Sequence, residues 1–312
     1  MAETTSHSNG QPDPELLNDI AIELAVDPSF VEKDWYAVQV VKALSRYTHD
    51  KIVPVFSGGT NLSKAYGLIK RFSEDIDFRT NLTEMPTTGE RKQFRLSVID
   101  IINGIENLKV IEDSIIKRDN RKFFSFDIEY PKTFEVGAAL RPNLKLEMKI
   151  RPPQMETESK DIRSFVTQFT GADAEAQIQC IRPEEIAADK LSALIWRVLD
   201  RDRSAEHDDP AMIRHLHDLC ALQSIIRANA TAFTGIAQSS FGEDLARGEE
   251  AITQTLKQAA GAALEALRSD GEYKGEYTNF VTGMSYATEE ERISFEAALE
   301  AFEEIIGLLT EQ

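Results

Sequence analysis

Residues 56–78 read FSGGTNLSKAYGLIKRFSEDIDF, and the fold is decided in this stretch. The run that leads into it, Lys51 to Phe56 (KIVPVF), is rich in β-formers and stops at Ser57-Gly58-Gly59. Two glycines permit a tight turn, and the spacing after them predicts a helix from Thr60 to Leu68. Ile76-Asp77-Phe78-Arg79 reads as the next strand, beside the first. Asp75 and Asp77 are two apart, so a strand sends both carboxylates to one side. Convergent carboxylates repel unless a cation separates them, which suits hard, oxygen-seeking Mg2+. Ser57, Gly58, Gly59 and Thr60 stand at a helix N-terminus and offer amides and hydroxyls to a phosphate. Metal and phosphate sites side by side are what phosphoryl transfer requires. The chain has no G-x-x-x-x-G-K-[ST], which excludes a P-loop by pattern.

Working outward, a third carboxylate is expected on a neighbouring strand. In Leu144 to Ile150 (LKLEMKI), alternation sets Glu147 apart from Leu146 and Met148. It reads either as a metal ligand or as an exposed residue paired with a neighbouring lysine, with Asp127 and Glu129 as alternatives. Lys64 lies one helical turn past Thr60, within reach of a triphosphate. Ser73 falls two residues before Asp75 on the same strand face, and Arg71 is suited to pair with phosphate or with Asp75. Farther on, Lys190 stands among Ile186, Leu191 and Leu194; a lysine on such a face needs a carboxylate or a phosphate. Arg197 follows two turns later on the same side. Asp218, on a helix with Ile213, Leu216 and Leu219 facing inward, can orient Lys190 or Arg214, or act as a base. His215 and His217, at i and i+2, point to different sides of that helix and make no zinc site.

The layout is α+β. Residues 1–12 read as a disordered tail. Residues 13–180 form a catalytic half with N-terminal helices (14–25 and 29–47), a mixed sheet that carries the carboxylates, and a helix over 91–107. Residues 80–90 read as a loop, and three β-like stretches cover 110–116, 122–130 and 144–150. From Pro152-Pro153 to Cys180 the pattern is mixed and predicts no element. Residues 181–312 read as a helical domain, with helices over 183–200, 210–227, 240–268 and 288–310.

A formal net charge of −18 over 312 residues argues against coating nucleic acid by general electrostatics. Basic residues gather between Lys109 and Arg163, while Glu289 to Glu291 and Glu303-Glu304 make the end acidic. No run of eighteen apolar residues is present, so no membrane segment is expected, and the polar start lacks a secretion signal. Cys180 and Cys220 match no zinc spacing and read as buried free thiols, consistent with a cytoplasmic protein.

Gly58-Gly59-Thr60-Asn61-Leu62-Ser63-Lys64 followed by Arg71-Phe72-Ser73-Glu74-Asp75-Ile76-Asp77-Phe78 resembles the first motif of the nucleotidyltransferase AbiEii/AbiGii toxin family, in the DNA polymerase β-like superfamily. Val31-Glu32-Lys33-Asp34-Trp35, the helix Pro183 to Leu194 (PEEIAADKLSAL) and Arg214 to Leu219 (RHLHDL) resemble its other motifs, in the same order. The resemblance implies a nucleotidyltransferase fold whose helical domain completes the active site. It implies the toxin of a toxin–antitoxin or abortive-infection pair, acting in phage defence beside a cognate antitoxin. Such a toxin moves a nucleotide from an NTP to an acceptor, here expected to be the 3' end of tRNA. Mg2+ or Mn2+ would be held by Asp75, Asp77 and Glu147, with Lys190 and Asp218 as catalytic partners. Ser57, Gly58, Gly59, Thr60, Lys64, Arg71, Ser73, Lys190, Arg197 and Arg214 would bind the nucleotide. Transfer to a protein side chain, or NTP-dependent regulation with little turnover, are the alternatives. His215 replaces the aspartate of one family variant, so no catalytic role is assigned to it.

Overall fold

Side-chain alternation along β-strands gives the sheet one apolar and one polar face, and the first half of the chain is built on that division. The structure is a computed structural model that describes residues 11–49, 51–137, 140–206, 208–245 and 254–310. Of the expected tail, residues 1–10 lie outside them, as do residues 246–253 of the helix expected over 240–268. The chain divides into two units: residues 1–67 with 72–181, and residues 68–71 with 182–312.

In the first unit the elements run α1 (Pro14–Leu24), α2 (Pro28–Ser45), β1 (Ile52–Ser57), α3 (Gly58–Lys64), β2 (Asp75–Leu82), α4 (Thr88–Asn103), β3 (Lys109–Val110), β4 (Ile116–Arg118), β5 (Phe123–Glu129), β6 (Leu144–Lys149), β7 (Glu158–Ile162), α5 (Phe165–Thr170) and β8 (Ala176–Cys180). The strands form one mixed sheet in the order β3-β5-β6-β2-β1-β8-β7, with β4 on β5. Among the described residues only β1–β8 and β2–β6 are parallel. Phe56, Ile76, Phe78, Phe124, Phe126, Leu146 and Met148 supply the apolar face, packed with Val38, Val41 and Leu44 of α2 and Phe94, Val98 and Ile102 of α4.

Local signals explain the boundaries. Asp27 accepts from Ser29 N–H and Pro28 takes the first helical position of α2. Thr87 and Glu90 form a capping box on α4, so that helix starts at Thr88 inside the expected loop 80–90, while β2 runs on to Leu82. α3 begins at Gly58, two residues earlier than its sequence suggested, and ends at Lys64. The unassigned stretch 154–180 contains β7, α5 and β8; β7 (ESKDI) is a charged edge strand that carries little hydrophobic signal. The β-like stretch 110–116 is reduced to the ends of β3 and β4 around a 3-10 turn over Glu112–Ser114.

The second unit comprises α6 (Pro183–Leu199), α7 (Arg214–Ala221), α8 (Gln223–Ala228), α9 (Ala230–Leu245), α10 (Leu256–Ser269), α11 (Glu272–Met284) and α12 (Phe295–Leu308). The single helix expected over 210–227 is a 3-10 turn (Pro210–Ile213) followed by α7 and α8, which are interrupted at Leu222. α11 was not anticipated, because Gly275 and Gly283 dilute its pattern; its buried stripe Tyr273, Tyr277, Phe280 is nonetheless helical in spacing. Residues 68–71 belong here because Tyr286 N–H and Ser285 Oγ donate to Lys70 C=O, Tyr286 Oη donates to Ile69 C=O, and Arg71 bridges Ser285. Among the described residues no helix is long and apolar enough to cross a membrane.

α2 also carries three adjacent charges that are all buried, Glu32, Lys33 and Asp34. Asp34 Oδ1 lies 2.5 Å from Lys64 Nζ, and its other oxygen accepts from Phe165 N–H at 2.8 Å. Burial raises the pKa of the Asp34 carboxyl and lowers that of the Lys64 ammonium, each opposed by the other's charge. Breaking such a pair from one side strands the remaining charge. Asp34→Leu or Lys64→Met alone is expected to lose about 3–5 kcal/mol in urea unfolding, and the double variant clearly less than the sum.

Candidate active site

Register places the carboxylates. Asp75 pairs with Lys145 and Asp77 with Glu147 across the parallel β2–β6 ladder, while Ser57 is opposite Asp77 on β1. Directly paired residues share a face, so Asp75, Asp77, Lys145, Glu147 and Ser57 all stand on the polar side of the sheet. Ser125 and Asp127 of β5, opposite Glu147 and Lys145, stand there too, and so does Glu129 two residues on. Gly58 has φ +72°, and a Cβ placed on it would lie 1.9 Å from Asp77 Oδ2. Glycine is therefore required twice, by the turn and by the aspartate resting on it.

Two of these carboxylates, Asp75 and Glu147, each meet a base. Arg141 Nη1 donates to Asp75 Oδ1 at 2.9 Å, and Lys145 Nζ lies 2.7 Å from Glu147 Oε1. Behind Asp75, Lys33 Nζ donates to Glu74 Oε1 and to Arg141 C=O, both at 2.7 Å, and Arg141 N–H donates to Glu74 Oε1 at 2.6 Å. Burial lowers the Lys33 pKa, against the pull of Glu74. Among the described residues no three His, Cys, Asp or Glu side chains close on one point as a metal cluster. The donor set nevertheless suits Mg2+: Asp75, Asp77 and Glu147 offer only carboxylate oxygens from one sheet face. Glu147 would have to leave Lys145 to act as the third ligand.

The residues expected at the phosphates are disposed differently. Ser57 is the N-cap of α3 but its side chain makes no capping bond, and the Asp77 carboxylate lies against Gly58 at that helix start. Thr60 Oγ1 donates to Asp75 C=O at 2.6 Å and so braces β2. Lys64, paired with Asp34, also has its ammonium 3.3 Å from the Phe165 ring centroid, and a buried lysine so held is not open to a triphosphate. Ser73 precedes β2, which begins at Asp75, and so is not on that strand face as expected.

In the helical unit Arg71, Lys190 and Asp218 converge. Arg71 Nε and Nη2 donate to the two Asp218 oxygens at 2.7 and 2.6 Å, and Lys190 Nζ lies 2.6 Å from Oδ2. Arg71 is thus bidentate to Asp218, where the sequence had offered phosphate or Asp75. Burial would raise the Asp218 pKa, but the two cations hold it well below the usual carboxylate range. A carboxylate so stabilised is a poor base; of the roles expected for it, the geometry gives it the orienting of Lys190. Burial lowers the Lys190 pKa, Asp218 opposes this, and Arg71 adds to it. Arg197 and Arg214 both reach Asp209 Oδ2, at 2.7 and 3.1 Å. Arg197 also lines a cavity of about 400 Å3 with Trp196, Asp200, Arg201, Asp209 and Met212.

Sequence reasoning missed Arg141, Lys33, Glu74 and Asp209. A signal existed for Lys33: three successive charges at 100° intervals cannot all face solvent from a helix whose other residues are largely apolar. Arg141 and Asp209 are in loops, where no periodicity marks them. Cys180 is buried, its thiol pushed up to about 12 by burial, whereas Cys220 is only half-buried; both are free.

Two outcomes test this geometry. Gly58→Ala must displace Asp77 and adopt a left-handed backbone, which is expected to cost about 1–3 kcal/mol in urea unfolding; an unchanged midpoint would refute the close approach. His215 has both ring nitrogens sealed from solvent without a hydrogen-bond partner among the described residues, and burial together with Arg214, Lys190 and Arg197 lowers its pKa well below 6.5. The unfolded chain therefore takes up the proton first, so this contribution to stability is complete above 6.5 and is lost as pH falls below it. Between about pH 7.5 and pH 5.5 the Tm of His215→Asn should fall less than that of wild type; equal losses would contradict the assignment.

A family model described as nucleotidyl transferase AbiEii toxin, type IV TA system, matches residues 40–304. Among solved structures, MenT4, a nucleotidyltransferase toxin from Mycobacterium tuberculosis H37Rv, is similar with a TM-score of 0.61 and 15% identity, over 95% of this chain and 90% of that one. At that identity the likeness shows a shared fold. No curated protein matches the sequence.

Proposed function

The chain belongs to the family of AbiEii nucleotidyltransferase toxins of type IV toxin–antitoxin systems, and from that membership we propose that it transfers a nucleotide from an NTP to the 3' end of tRNA, with Mg2+ or Mn2+ at Asp75 and Asp77. Membership also implies an antitoxin partner. The observation that carries the metal reading is the register: Asp75 and Asp77 share one face of β2, and Glu147 is opposite Asp77 on β6. A divalent ion held there by Asp75, Asp77 and Glu147 would supply positive charge against the charge that develops in phosphoryl transfer.

The protein's own residues do the rest. Gly58 lets the backbone approach Asp77, and Thr60 fixes the carbonyl of Asp75, so both carboxylates are positioned before substrate arrives. Lys190, oriented by Asp218, is the cation proposed to meet the nucleotide's phosphates, and Arg71 keeps Asp218 ionised. In the reaction the acceptor oxygen bonds to the α-phosphorus as the bond to pyrophosphate breaks, and the acceptor's proton passes to solvent. A protein with net charge −18 has little general attraction for RNA, so the acceptor must be met by a local basic surface.

Incubation of the protein with each α-32P-labelled NTP, Mg2+, total RNA and cell extract is expected to label RNA of tRNA size. Asp75→Asn or Asp77→Asn should lower the labelling at least about a hundredfold, and EDTA should abolish it until Mg2+ or Mn2+ is restored. Label in protein would move the acceptor from RNA to a side chain. Absence of Asp75-dependent label from every fraction would end the transferase reading.

A further inference from the structure

The ion pairs of the sheet unit fall into two kinds. Lys64–Asp34 and Lys33–Glu74 are largely buried, with side-chain exposures of 4%/6% and 5%/14%. Arg141–Asp75 is different: the arginine side chain is 47% exposed and the aspartate 21%. Exposed pairs are weak, and a divalent cation competes with them readily. The backbone of Arg141 is nonetheless held at both ends of the residue. Its N–H donates to Glu74 Oε1 and its C=O accepts from Lys33 Nζ, while the same Lys33 and Glu74 atoms are 2.7 Å apart. A fixed main chain beside Asp75 thus carries a guanidinium on a flexible stem, lying on a carboxylate expected to bind metal.

We propose that Arg141 is a phosphate-binding residue of the nucleotide site that neutralises Asp75 in the metal-free protein and turns to the triphosphate when the metal takes its place. The inference rests on the reading of Asp75 as a metal ligand. A guanidinium presents the same planar fork of N–H donors to phosphate as to carboxylate, so Arg141 exchanges one anion for another and stays compensated throughout. Lys33 and Glu74 are positioning residues for it. The exchange also couples the two ligands. Metal alone must displace Arg141 with nothing offered in return, and nucleotide alone finds the arginine engaged. Together each supplies what the other displaces, so metal and NTP bind with positive cooperativity that depends on this one side chain.

The test uses the full chain. Mn2+ binding without nucleotide is followed by electron paramagnetic resonance, and binding of α,β-methylene NTPs with Mn2+ present is followed by calorimetry. Arg141→Gln should bind Mn2+ alone about twofold to fivefold more tightly, having lost the competing cation. The same variant should bind the nucleotide analogue about tenfold to a hundredfold more weakly. Arg141→Lys, which keeps the charge but not the fork, should fall between on nucleotide. A purely structural role would weaken both ligands or neither. Unchanged or weaker Mn2+ binding by Arg141→Gln, or unchanged nucleotide binding, overturns the proposal while Mn2+ binding that depends on Asp75 and Asp77 persists. If wild type binds no Mn2+, or binds it equally after Asp75→Asn and Asp77→Asn, the metal reading fails and this inference fails with it.

Discussion

Side chains of a strand must alternate between its two faces, and β2 turns that constraint into chemistry. Ile76 and Phe78 go down into the core with Phe56, Leu146 and Phe126; Asp75 and Asp77 have no choice but the other side. A shift of one residue in the register with β6 would bury the aspartates and expose the phenylalanine, so the packing that holds the sheet also fixes the carboxylates. The parallel pairing of β2 with β6 then decides that Glu147 meets Asp77.

Concentrated negative charge needs cations, and α2 helps to distribute them. Glu32, Lys33 and Asp34 leave the helix at successive 100° steps and therefore serve three separate neighbours. Glu32 accepts from the backbone of Thr133, Lys33 ties Glu74 to Arg141, and Asp34 ties Lys64 to the start of α5. In the helical unit Asp218 plays the matching part with opposite sign, one carboxylate between two bases. Buried charges of this kind add little net stability over apolar residues of equal size, but they leave one acceptable arrangement.

How much could be read from the chain depended on periodicity. The aspartate pair, the glycine turn and the helices over 28–45 and 183–199 have regular spacing, and the sequence shows them plainly. Side chains that act through their partners were misplaced for a different reason. Lys64 reads as a phosphate ligand if only its distance from Thr60 is counted, yet its partner Asp34 lies thirty residues upstream. Thr60 offers a hydroxyl, but nothing local shows that it is already committed to the carbonyl of Asp75. Arg197 and Arg214 look available until the loop aspartate Asp209 is seen between them. Pairings of this sort are properties of the folded chain, and a single sequence records only their halves.

Residues 68–71 are synthesised long before the helices they belong to. Arg71 leaves the ribosome 147 residues ahead of Asp218, its bidentate partner. A nascent chain that has completed the sheet through β8 still lacks Asp218, and Ser285 and Tyr286, which pair with the backbone of residues 69–71, come a further hundred residues later. A fragment that starts at Arg182 would likewise lack part of its own core. The two units are therefore interleaved in sequence and not separable as gene segments, and the short excursion between Gly67 and Phe72 leaves the helical unit complete only when nearly the whole chain has been made.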